Sequence, residues 1–117
     1  MILSTTFNAL RLHEACPDGY KKLAAHLGSV RKYGATTPIP LAVIVESNGL
    51  DDALWSLRAV PTEQAAARDK LARLFACDCA WHVLEIYEDK HPGDKRVRQC
   101  ILVARRYAHG KATDSER

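Results

Sequence analysis

The chain has 117 residues, with 17 Lys+Arg against 14 Asp+Glu and a formal net charge of +3. That length suits one domain, and 47% apolar with 26% charged residues is a globular composition that excludes global disorder. The longest apolar run, Ile39 to Val45, has a proline inside it and falls far short of the roughly 20 residues of a membrane helix. The first residues, Met-Ile-Leu-Ser-Thr-Thr-Phe, have neither the basic nor the apolar region of a signal peptide, so the expected location is cytoplasmic. So small a positive charge does not by itself imply a nucleic-acid partner, and its sign excludes a wholesale DNA mimic.

Read in chain order, residues 7–15 form a short helix stopped by Cys16-Pro17. Pro17-Asp18-Gly19 starts a second, Tyr20 to about Leu27, with Tyr20, Leu23, Ala24 and Leu27 on one stripe and Gly28 past its end. Ser29–Pro40 reads as the one long loop. Residues 39–46 have the β-branched content of a strand but no visible partner for one, so they are expected to be helical, with Pro40 at the first turn. Asn48-Gly49 ends that helix, and Asp51 and Asp52 suit the positive end of the next, residues 50–59.

Thr62 opens the longest helix, about 62–89, which His91-Pro92-Gly93 stops. Its apolar residues fall in two seams: Leu71, Leu74, Trp81 and Leu84, then Ala72, Phe75, Cys79, Val83, Ile86 and Tyr87. A helix apolar on two sides is packed from both. Asp94 caps the last helix, about 95–109. The expected fold is all-α: one compact domain over residues 1–112, with five or six helices around helix 62–89. Residues 113–117 are expected to be a disordered polar tail.

The residues that could carry chemistry are few. Cys16, Cys77, Cys79 and Cys100 could make two disulfides or a zinc site, but read as buried thiols, because the spacing points Cys77 and Cys79 about 200° apart on a helix and argues against both. Asp78 sits mid-helix in the most apolar stretch and would need a cation. The final helix supplies Arg96, Arg98 and Arg105, and the pairing expected is a structural ion pair of Asp78 with Arg96 and Arg98. Breaking a buried pair of that kind by Asp78→Ala would cost about 3–5 kcal/mol. His82 lies one helical turn from Asp78, but a His–Asp pair without a nucleophile is no triad. The five histidines are scattered singly, and nucleotide and nucleophile-elbow motifs are missing. No catalytic residue, metal or cofactor is therefore expected.

The charge is patterned. Residues 19–45 contain Lys21, Lys22, Arg31 and Lys32 with no acid, and residues 95–113 contain Lys95, Arg96, Arg98, Arg105, Arg106 and Lys111 with no acid. Acids gather at Glu46, Asp51 and Asp52 and again at Glu85, Glu88, Asp89 and Asp94. Such segregation suits docking on a charged partner, with Lys21, Lys22, Arg31, Lys32, Arg105 and Arg106 as the candidate contacts. The alternative partner is a nucleic acid held by the basic last helix. Monomer and dimer both remain open.

Two stretches carry a resemblance. Ile39-Pro40-Leu41, through Glu46-Ser47-Asn48-Gly49-Leu50-Asp51-Asp52-Ala53-Leu54-Trp55-Ser56-Leu57-Arg58, resembles small phage and prophage proteins, which also carry a helix like Gly19 to Leu23 upstream. Phe75-x-Cys77-x-Cys79-Ala80-x-x-Val83-Leu84-x-x-Tyr87-Glu88, Pro92-x-Asp94-x-Arg96-Val97-Arg98 and Ala104-Arg105-x-Tyr107-Ala108-x-Gly110 are similar to a helical motif of bacterial toxin-immunity proteins. In those proteins the linker reads Pro, an acid, then Arg-Pro-Arg, and here Val97 replaces the second proline. The resemblance implies a phage- or prophage-encoded helical protein in the bacterial cytoplasm. Such a protein binds and blocks a host or rival protein without catalysis; a CRISPR effector is one target in that class.

Overall fold

A computed structural model describes residues 2–111, so the tail at 113–117 lies outside the described residues. The expected all-α class holds: among those residues are seven α-helices and one two-stranded sheet of two residues per strand. Contacts divide the chain into two compact units. The first ends at Arg68 and the second begins at Asp69.

In the first unit, β1 (Ser4–Thr5) pairs antiparallel with β2 (Ile39–Pro40), Ser4 opposite Pro40 and Thr5 opposite Ile39. The helical expectation for 39–46 therefore fails at its first two residues and holds for the rest, where α4 runs Leu41–Asn48. Ser4–Thr5 is the strand partner that the sequence concealed, because two residues show no alternation. Thr6 follows as N-cap of α1 (Phe7–Leu12), its side chain accepting from the Ala9 N–H at 3.1 Å. Pro17 itself opens α2 (Pro17–His26), where its missing N–H costs nothing.

The expected loop 29–40 contains one more helix, α3 (Val30–Tyr33), capped by the Ser29 hydroxyl. It raises the helix count above the five or six expected, and a single turn is too short to show a period. Gly49, at φ +95°, ends α4 and lets the chain turn at once into α5 (Leu50–Ser56), after which Leu57–Ala59 tightens to a 3-10 turn. Phe7, Leu10, Leu23, Ile39, Ile44, Ala53 and Ala59 form this unit's core. Phe7 is fully buried and meets Tyr20 and Tyr33 edge-on, with ring centres 5.4 and 6.1 Å away. Thr5 donates its hydroxyl to the Ala59 carbonyl at 2.7 Å and so ties the strand to the 3-10 turn that follows α5.

A 3-10 turn, Thr62–Gln64, leads into α6 (Ala65–Lys90), which begins in the first unit and supplies most of the second. Gly93, at φ +87°, turns the chain into α7 (Arg96–Ala108). The two helices form an antiparallel hairpin around Cys77, Leu84 and Ile101, with Ala80, Val97 and Ala104 packed against them. At 1.5 Å per residue α6 is about 39 Å long and α7 only about 20 Å.

Truncating Phe7 to Ala removes the centre of the first core, and urea unfolding should report a loss of about 3–5 kcal/mol. Thr5→Val keeps the shape but strands the Ala59 carbonyl, for a smaller loss of about 1–3 kcal/mol. A Phe7→Ala protein with an unshifted urea midpoint would contradict this core.

Candidate protein interface

The site lies on the hairpin and is built from two opposed faces of α6. Side chains three and four residues apart share a helix face, so Cys77, Ala80 and Leu84 fall on one side, where α7 covers them. Ala72, Phe75, Cys79, Val83 and Ile86 fall on the other. The sequence expectation was that both seams would be packed; of the first only Leu84 is buried, with Leu71 and Trp81 exposed, and the second is not covered. Phe75 is 39% exposed, Val83 56% and Ile86 61%, and Ala72 and Cys79 are exposed beside them. One 13-residue helix can bury only one side of a 26-residue helix. The open stripe runs about 21 Å from Ala72 to Ile86, at 1.5 Å per residue.

Cations of α7 meet carboxylates of α6 along the covered side. Arg98 binds Glu88 through two hydrogen bonds, Nε to Oε2 at 3.0 Å and Nη2 to Oε1 at 2.6 Å, and Lys95 Nζ adds a contact at 3.6 Å. Arg105 Nη2 reaches Asp78 Oδ1 at 3.0 Å. Both guanidinium groups also lie 5.0 Å from the centre of the Trp81 ring, so one indole serves two arginines on successive faces of the hairpin. In the loop, Asp94 accepts from the Arg96 backbone N–H, from its guanidinium and from the Tyr87 hydroxyl, which fixes the start of α7.

These distances correct the expected ion pair. Asp78 pairs with Arg105, while Arg96 turns back to Asp94 and Arg98 to Glu88. Asp78 is also not buried, its side chain being 71% exposed, because it points about 100° around α6 from the buried Cys77, toward the flank of the α7 contact. The buried-thiol expectation holds only for Cys77; Cys16, Cys79 and Cys100 are exposed and all four are free. The remaining candidate contacts fall in two places. Lys21 and Lys22 project from α2 and Arg31 and Lys32 from α3, all exposed in the first unit. Arg105 and Arg106 belong to α7, and Arg105 is engaged by Asp78 and Trp81.

No group of three His, Cys, Asp or Glu among the described residues could hold a metal, and no helix among them is long and apolar enough to cross a membrane. The open stripe was missed from the sequence because periodicity marks a face as apolar without saying whether anything covers it. Its signal was present, in the contrast between one long two-sided helix and one short neighbour.

The hairpin thus has one side packed by α7, around Cys77 and Leu84, and an apolar stripe that stays open. Residues 62–116, from the turn before α6 onward, match the family described as Imm-5 like putative immunity protein. That stretch of the chain is thus immunity-protein-like, in keeping with the resemblance of its motifs. No curated protein and no solved structure matches the chain.

Two outcomes follow from the ion pairs. Asp78→Ala should cost less than about 1 kcal/mol, as for an exposed pair, in place of the larger loss a buried one would cause. Arg98 holds the Glu88 carboxyl below its ordinary value, and the Arg96 guanidinium with the Tyr87 hydroxyl does the same for Asp94. A depressed carboxylate stabilises the fold above its unfolded value and stops doing so as pH falls through its folded one. The hairpin should therefore hold constant stability above the ordinary values of 4.5 for Glu88 and 3.8 for Asp94 and weaken progressively below them. Acid titration followed by circular dichroism checks this, and Glu88→Gln should flatten the acid limb.

Proposed function

We propose that this protein is an immunity-type binding protein that neutralises another protein by docking on it, with no catalysis. One observation carries the reading: the immunity-like stretch coincides with the helix that keeps an apolar stripe uncovered. Soluble proteins rarely leave contiguous apolar surface open unless a partner uses it. Glu85 and Asp89 follow one flank of the stripe, so the complementary partner presents an apolar ridge bordered by basic groups. The exposed Lys21, Lys22, Arg31 and Lys32 would meet acidic groups of a partner, and Arg105 and Arg106 remain candidate contacts at the hairpin.

The resemblance of residues 39–58 supports a phage or prophage origin and action in the bacterial cytoplasm. A host or rival effector is then the target, and inhibition of a CRISPR effector is one form of that action. A nucleic-acid partner is disfavoured because Arg96, Arg98 and Arg105 are already occupied by carboxylates. Phosphate contacts would have to break those pairs first.

The test is the double substitution Val83→Glu/Ile86→Glu. Both positions are exposed, so the melting curve should stay near that of the parent chain. A stoichiometric complex with the target, assayed by co-expression rescue and gel filtration, should be lost. Retained rescue by the double variant would contradict the stripe as interface. Binding that instead follows DNA or RNA, with steep salt dependence, would contradict the protein-partner reading.

A further inference from the structure

The first unit holds a cavity of about 260 Å³ that belongs to neither the hairpin nor the basic candidate residues. Drug-sized ligands occupy pockets of roughly 300–1,000 Å³, so this one is scaled to a single side chain or a small molecule. Its apolar floor is made by Leu10, Leu23 and Ile44, each at most 4% exposed, and Tyr20 and Trp55 contribute aromatic lining. Asp51 and Asp52 supply the only charges of the lining, which contains no Lys, Arg or His.

The acids are placed by the fold. The Asn48 side-chain amide donates both to the Gly19 carbonyl at 2.8 Å and to Asp52 Oδ2 at 2.9 Å, which joins α2, α4 and α5 at the cavity. A Cβ at position 19 would lie 2.9 Å from Asp52 Oδ2, so glycine is what allows this approach. Neither carboxylate has a cationic partner among the described residues. An apolar ligand would fill the floor and leave the two exposed carboxylates without a cation, and an anion would be repelled. A cation on a short aliphatic stem satisfies floor and carboxylates together, beside the Trp55 ring on which the Arg58 guanidinium already stacks at 4.5 Å.

We infer that this cavity, lined by Leu23, Ile44, Tyr20, Trp55, Asp51 and Asp52, binds an alkylguanidinium or alkylammonium group, as presented by an arginine or lysine side chain of another polypeptide. The site lies in the first unit and its lining shares no residue with the α6 stripe. Failure of one is therefore separable from failure of the other.

The test titrates the isotope-labelled full chain with n-butylguanidinium, n-butylammonium and N-acetylarginine methylamide, with 1-pentanol as the neutral control. Saturable shifts at the Trp55 indole and the Gly19 amide are expected for the three cations and not for the alcohol. Asp51→Asn leaves the Asn48–Asp52 contact in place and should weaken cation binding about tenfold, or about 1.4 kcal/mol. The site is overturned if no cation saturates, if 1-pentanol binds equally well, or if Asp51→Asn changes nothing. Binding of n-butylguanidinium without N-acetylarginine methylamide would overturn the polypeptide source.

Discussion

The structure depends on one imbalance: a 26-residue helix with apolar residues on more than one side is matched by a 13-residue helix that covers only the side of Cys77, Ala80 and Leu84. Burying Cys77, Leu84 and Ile101 together sets the hairpin's register, and every ion pair along it follows from that register. Arg98 and Arg105 lie two turns apart on α7, so once Ile101 is seated between them they reach Glu88 and Asp78 on either side of Trp81. The open stripe receives nothing comparable. Its apolar residues remain in water, and that is the feature a binding partner would remove.

The first unit solves a different problem. Its helices are short, from four to ten residues, and too short to be stable alone. They hold through caps and cross-ties that act over long sequence separations: Thr5 to Ala59, Asn48 to Gly19 and Asp52, and Ser4 to Gln64. The same ties that close the core around Phe7 also shape the cavity beside Trp55. Packing and site are thus products of the same contacts.

Much of the helical framework was legible because its boundaries are chemical. Pro17, Gly28, Gly49 and the His91-Pro92-Gly93 stop mark ends that the structure keeps within a few residues. The two-residue strands and the single-turn α3 were not legible, since nothing so short displays a period. The partner of Asp78 was misassigned for another reason: choosing among Arg96, Arg98 and Arg105 requires the hairpin register, which pattern alone does not fix. Its burial was misjudged because the helix was expected to be enclosed. The cavity was out of reach for the same kind of reason, as its lining comes from four helices and the link between the first two.

Cys79 stands in the middle of the open stripe and Cys77, two residues earlier, faces α7, so the chain carries its own reporter and control. The most direct measurement is the maleimide labelling rate of each cysteine, resolved by mass spectrometry, with and without the target protein. The account predicts fast labelling of Cys79 and slow labelling of Cys77 in the chain alone. In the complex Cys79 should become protected while Cys77 stays slow. A Cys79 as slow as Cys77 in the chain alone, or equally reactive in the complex, would contradict it.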